Sequence, residues 1–261
     1  MLARCKNVGV MALAVMLVFG STEFAAGQSV RVTVENLQPA DGFYFTPLWV
    51  GFHDGSFDYF DWGSAASTSL EALAEGGDFS GISADFAGSG TDGAVFAPGG
   101  FGGAPVFDPG ETVSEVFNLN PGERYFSFAT MIIPSNDGFF GNDSGTAYEV
   151  FDAGGNFNGD LTILLVGGDL WDAGTEVNDG QGAAFSTNGG TSTDENGVVM
   201  VHPGLGNFLG TGTAAGTTIG SIPGANTPVA QITISSVPEP ASCGWLAAAA
   251  GAILLRRRRR G

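Results

Sequence analysis

Short apolar runs, separated by Gly, Pro, Asn and Asp, organise this chain. The first run alternates strictly. Val30, Val32 and Val34 fall on one side of an extended chain, and Arg31, Thr33 and Glu35 on the other. A period of two belongs to a strand with one buried face. Residues 229–235 repeat the pattern, with Ile232 and Ile234 on the apolar side. Between them lie runs at 48–52, 112–117, 125–133, 161–166 and 198–201, rich in β-branched and aromatic residues. Short strands with frequent turn signals predict an all-β, antiparallel β-sandwich.

One short helix interrupts the pattern. Residues 67–75 place Thr68 at an N-cap with Glu71 three residues on, which makes a capping box. Leu70 and Leu73 form the apolar side, and Gly76-Gly77 stops the helix. A helix this short is not stable alone, so it must pack on a sheet. Residues 87–105, dominated by Gly, Ala and Pro, predict a long surface loop, and residues 207–226 a second.

The two ends have a different character. Arg4 and Lys6 precede an apolar stretch at 8–19, and Ala25-Ala26-Gly27 offers small residues before Gln28. That order predicts a secretory signal peptide over 1–27. At the other end, Val237-Pro238-Glu239-Pro240 precedes an apolar run at 241–255 and then Arg256, Arg257, Arg258, Arg259 and Arg260. Fifteen helical residues span ~22 Å against a hydrocarbon thickness of ~30 Å, a marginal length for a membrane helix. The arginines hold their side of it in the cytoplasm. The tail resembles the PEP-CTERM sorting signal of Gram-negative bacteria. That resemblance implies an anchor in the inner membrane during transit, an exosortase as processing partner, and final release or attachment at the cell surface. The expected division is 1–27 signal peptide, 28–236 folded domain and 237–261 sorting signal.

Between Gln28 and Pro240 only Arg31 and Arg124 are basic, against twenty-six acidic residues, and lysine is absent. Nucleic acid and anionic lipid are poor partners for such a surface, whereas divalent cations are good ones. Both cysteines, Cys5 and Cys243, lie in the terminal segments, so the domain has no disulfide. At about 210 residues it can bury a sizeable single core.

Two loops following apolar strands carry carboxylates at turn tips. The first is Pro134-Ser135-Asn136-Asp137-Gly138, and the second is Asp172-Ala173-Gly174-Thr175-Glu176. Asp in Gly-rich turns most often bonds its own backbone. The same carboxylates, with loop carbonyls, also suit Ca²⁺, which takes six to eight oxygens. Residues 128–141, with this Ser/Pro turn carrying Asp before an aromatic and Gly, resemble the hallmark segment of the spondin N-terminal domain. Asp172 to Glu176 resembles that family's Asp-Ala-Gly-Thr-acid loop. The opening strand through Leu37 and the late His202-Pro203 also fit. The resemblance spans residues 29–235 and implies a C2-like antiparallel β-sandwich holding one Ca²⁺ on Asp137, Asp172 and Glu176. Two positions depart from the family: Glu176 stands where Asp is usual, and Gly138 where animal members carry Trp.

Little in the chain suits catalysis. His53 and His202 have no second histidine at metal-ligand spacing. The domain has no cysteine nucleophile, no Gly-x-Ser-x-Gly elbow and no lysine. The expectation is a non-catalytic, calcium-stabilised adhesion module of the cell surface or extracellular matrix, binding a polysaccharide or a surface protein. The competing expectation is an exported hydrolase that attacks polysaccharide with paired carboxylates.

Overall fold

The structure, a computed structural model, describes residues 28–99, 101 and 103–238. Its strands are β1 (Gln28–Asn36), β2 (Tyr44–Phe45), β3 (Leu48–His53), β4 (Gly90–Val95), β5 (Thr112–Leu119), β6 (Tyr125–Ile133), β7 (Gly138–Gly141), β8 (Leu161–Val166), β9 (Trp171–Asp172), β10 (Met200–Val201) and β11 (Pro228–Ser236). Two helices, α1 (Thr68–Gly76) and α2 (Ser80–Phe86), lie between β3 and β4. One sheet runs β5-β1-β11-β8. The other runs β10-β9-β7-β6-β3-β4, with β2 paired to β6. All described pairings are antiparallel, and the fold is the all-β sandwich that the alternating runs predict.

Alternation accounts for the first sheet. β1 and β11 pair with Val32 opposite Ile234 and Val34 opposite Ile232, so each apolar side chain has an apolar cross-strand neighbour. They join Phe117 of β5, Ile163 and Leu165 of β8, and Val50, Phe52, Phe126 and Phe128 of the other sheet in one buried core. Arg31 stays exposed on the outer face.

The second sheet obeys a different rule. From Phe126 onward β6 is buried at every position. Phe126 and Phe128 enter the core between the sheets, while Ala129 enters a second cluster with Trp49, Phe139, Leu70, Leu73, Ile82 and Phe86. The two helices therefore form a third layer over this sheet, and β6 is apolar on both faces because both are covered. Trp49 is fully buried there, and its indole N–H donates to Ser83 Oγ at 3.1 Å and Asp92 Oδ2 at 3.2 Å.

Several expectations need correction. There are two helices rather than one. α2 was hidden because Gly81 and Ser83 interrupt its apolar residues, yet Ile82 and Phe86 are buried on the sheet. Ser67, not Thr68, caps α1 by accepting the Leu70 N–H at 3.2 Å. Glu71 consequently falls one position beyond a capping box. The helix ends at Gly77, whose φ of 72° lets its N–H reach the Leu73 carbonyl at 2.8 Å. The stretch 87–105 is not all loop, since it contains β4, which pairs with β3 and buries Ala94 and Val95. The stretch 207–226 forms no named strand but contributes Phe208 and Ile219 to the main core.

Among the described residues no helix is long and apolar enough to cross a membrane. The expected signal peptide at 1–27, Glu239, Pro240, the apolar run at 241–255 and Arg256 to Arg260 lie outside the described residues. Two substitutions measure how α1 is delimited. Ser67→Ala should cost about 1 kcal/mol. Gly77→Ala should cost about 2 kcal/mol, because the position has positive φ and the new Cβ would lie 2.4 Å from Thr46 Cγ2. Denaturant midpoints unchanged from the parent in both variants would contradict this account.

Candidate metal centre

The centre begins with a pairing register. β7 and β9 run antiparallel with Gly138 opposite Asp172. The turn before β7 is thereby laid against the turn after β9, and the Ala173 N–H donates to the Asp137 carbonyl at 3.2 Å. The first turn passes through a cis Ile133–Pro134 bond and is closed by Ser135, whose hydroxyl donates to the Ile132 carbonyl at 2.6 Å and accepts the Gly138 N–H at 3.1 Å. Ser135, Asn136 and Asp137 are all fully buried.

Asp137 is held from one side only. Its Oδ2 accepts the backbone N–H of Thr175 at 2.8 Å and of Glu176 at 3.2 Å, and the Thr175 hydroxyl at 3.3 Å. Its Oδ1 is buried with no hydrogen-bond partner. A buried carboxylate oxygen without a donor carries a desolvation cost.

Asp172 lies beside it, 4% exposed. Its Oδ1 accepts the Gly174 N–H at 2.7 Å, and its Oδ2 accepts the Asn178 amide at 2.7 Å. Gly174 turns the loop with φ 70°, and a Cβ there would lie 2.6 Å from Val198 backbone atoms. Burial first, then the charge of Asp137, push the Asp172 carboxyl up to about 7; Glu195 adds to this and the Gly174 N–H opposes it. Two carboxylates this close and this dry resist holding two negative charges, and either a proton or a cation relieves them.

Glu176 behaves differently. Its N–H binds Asp137, but its carboxylate turns to the Asn136 amide, with Oε2 at 3.3 Å. Of the three predicted ligands, the fold brings Asp137 and Asp172 together and leaves the Glu176 side chain at their margin. Among the described residues no three His, Cys, Asp or Glu side chains are gathered closely enough to hold a metal ready-made.

Two further carboxylates approach that the sequence reading passed over. Glu195 arrives because 175–177 and 193–195 run alongside each other, with the Glu195 N–H on the Thr175 carbonyl at 2.7 Å. Glu75 comes from the last turn of α1, and burial, then the charges of Glu176, Glu71 and Asp137, raise its carboxyl above the usual range while Thr175 opposes the shift. Neither bears a local signal. The orphaned Asp137 oxygen and the close carboxylate pair fit a hard cation such as Ca²⁺.

His202 braces the pair. Its Nδ1 accepts the Gly204 N–H at 3.0 Å, so its proton sits on Nε2 and is donated to Asn178 Oδ1 at 2.9 Å. Asn178 passes the orientation on through its amide bond to Asp172. Burial pulls His202 down to about 4, so it remains neutral. His53 is arranged in the same way. Its Nδ1 accepts the Gly55 N–H at 3.1 Å, which leaves Nε2–H to donate to Ser127 Oγ at 3.0 Å. A donor cannot take the serine proton, so this contact is structural. Asp137 and Asp172 are also too deeply buried for a polysaccharide to reach.

A family model described as Spondin_N matches residues 35–201, which contain both turns of the centre. The chain belongs to the spondin N-terminal domain family. Membership places it with extracellular or secreted binding modules of a non-enzymatic type. The match stops before β11, although β11 supplies the partner of β1. No curated protein matches the chain.

The Asp172 shift sets a pH dependence. The folded chain binds this proton near pH 7 and the unfolded chain near the ordinary 3.8. Its contribution is therefore greatest below about pH 4 and is lost as pH rises to about 7. In chelator, the melting temperature of the parent should fall more steeply across that window than that of Asp172→Asn. Parallel pH profiles would contradict the coupling.

Proposed function

We propose that this chain is an exported, non-catalytic adhesion module stabilised by one Ca²⁺ and engaging an extracellular polysaccharide or surface protein. The observation that carries the reading is the buried, unpartnered Oδ1 of Asp137 beside the Asp172 carboxylate. Asp137 and Asp172 would hold the cation, with Glu176 swung from Asn136 as third carboxylate. When bound, Ca²⁺ supplies positive charge that offsets their repulsion and ties the two turns together. The chain's own groups do the remaining work. The Thr175 and Glu176 N–H groups fix Asp137, and Asn178 with His202 fixes Asp172. A domain without cysteine gains from such a tie what a disulfide supplies elsewhere.

The proposal extends to export. Val237, the first residue of the sorting motif, donates its N–H to the Ser29 carbonyl at 2.9 Å, directly after β11 ends. The motif thus begins where the body's strand pairing finishes. This arrangement suits an exosortase substrate that is held in the inner membrane of a Gram-negative bacterium before reaching the cell surface.

Two experiments test these readings. Ca²⁺ at a hundredfold excess over its dissociation constant stabilises a fold by ~2.7 kcal/mol, or roughly 5–10 °C in melting temperature for a domain of this size. The parent should show that rise and lose it in chelator, and Asp137→Asn should not respond. A parent whose melt ignores millimolar Ca²⁺ would remove the cation from the proposal. Replacing Arg256 to Arg260 together with Ser should leave unprocessed chain or misplace it. Normal maturation of that variant would remove the sorting role.

A further inference from the structure

Where β8 ends one sheet and β10 ends the other, the side of the sandwich opens into a groove of about 650 Å³. Its lining includes Trp171 and Tyr148, together with Leu164 and Val201, which are 49% and 48% exposed. Trp171 is fixed in place. Its indole N–H donates to the Gly141 carbonyl at 3.1 Å, and its ring packs edge-on against Phe60.

The lining also includes two carboxylates, Asp143 and Asp169. Each is clamped through one oxygen. Asp143 Oδ1 accepts the Trp62 N–H at 2.8 Å, and Asp169 Oδ2 accepts the Val166 N–H at 2.9 Å. The second oxygen of each has no donor among the described residues, so two oriented acceptors remain available. Burial, then the charge of Asp169, raise the Tyr148 hydroxyl, which stays protonated and able to donate. Trp62, tied to the groove by the Asp143 bond, is 68% exposed.

These groups select their ligand. An indole and a phenol in the lining suit the C–H surface of a pyranose, and the carboxylate oxygens accept its hydroxyl protons. No lysine or arginine lines the groove, and the body is strongly acidic, so uronate or sulfated chains are repelled. We propose that this groove binds a neutral hexose chain of an extracellular polysaccharide. The inference rests on the reading of the chain as a surface-binding module and assigns that module its ligand class. The groove is built from residues other than the Asp137–Asp172 pair, so the two readings can fail separately.

The test titrates the purified full chain with cellohexaose, laminarihexaose, α-1,6-mannohexaose and hexagalacturonate. Tryptophan fluorescence and calorimetry follow binding, in Ca²⁺ and in chelator. Saturable binding of a neutral hexasaccharide and none of hexagalacturonate is expected. Leu164→Glu alters an exposed side chain, and Asp143→Asn retains an oxygen for the Trp62 N–H. Each should weaken binding about tenfold, the loss of one good contact, without changing the melting temperature. If no neutral hexasaccharide binds, if hexagalacturonate binds equally well, or if both variants bind as the parent does, the proposal is overturned. If Ca²⁺ still raises the melting temperature in that case, the cation reading survives alone. Sugar binding that the variants lose, in a protein indifferent to Ca²⁺, upholds the groove and removes the cation.

Discussion

The antiparallel register of β7 with β9 is the constraint from which the functional end of the molecule follows. Gly138 opposite Asp172 lays two acidic turns side by side, and the Thr175 and Glu176 N–H groups then seize one oxygen of Asp137. A shift of one residue would send Asp172 to the opposite face of the sheet and dissolve the arrangement. Because the register is built from backbone, the carboxylates are held close whatever their mutual repulsion. That repulsion appears instead as a raised Asp172 carboxyl and an unpartnered Asp137 oxygen.

Layering supports that register. The second sheet carries the sandwich core on one face and the two helices on the other, so its central strand β6 is dry along nearly its whole length. A rigid β6 fixes where its terminal turn emerges, and the Asp137 turn is that terminus. On the far side, β9 and β10 are short and end the sheet, which leaves Trp171 and Val201 beside the open edge at β8. The buried carboxylates and the open groove thus come from neighbouring residues of one strand. Asp172 is turned into the dry centre and Trp171 toward the groove, as the two-residue period requires.

Parts of this were legible along the chain. The valines of β1 and the isoleucines of β11 declared a half-buried sheet, and residues 128–141 and 172–176 declared a family and two acidic turns. Other parts carried no local signal. β4 is written in glycine, threonine and aspartate, and it is a strand because β3 offers it a partner and Phe117 packs where Gly93 has no side chain. α2 has an apolar residue, Phe79, at its N-cap, with only Asp78 accepting the Ser80 N–H before it, and it exists because its Ile82 and Phe86 pack beside Trp49 on the sheet. Glu75 and Glu195 approach the centre, and His202 reaches Asn178, from segments distant in the chain, which no spacing rule connects.

By itself the sequence determined the class of fold, the acidity of the body, its lack of cysteine and the identity of the two turns. These depend on residue type and short-range periodicity, which are written locally. Tertiary structure alone decided that Asp137 and Asp172 meet while the Glu176 side chain turns to Asn136. It also decided that the helices cover one sheet and that a groove remains between two edge strands. These outcomes depend on which strands pair and in what register, and pairing joins residues far apart in the chain whose contact only the closed core makes favourable.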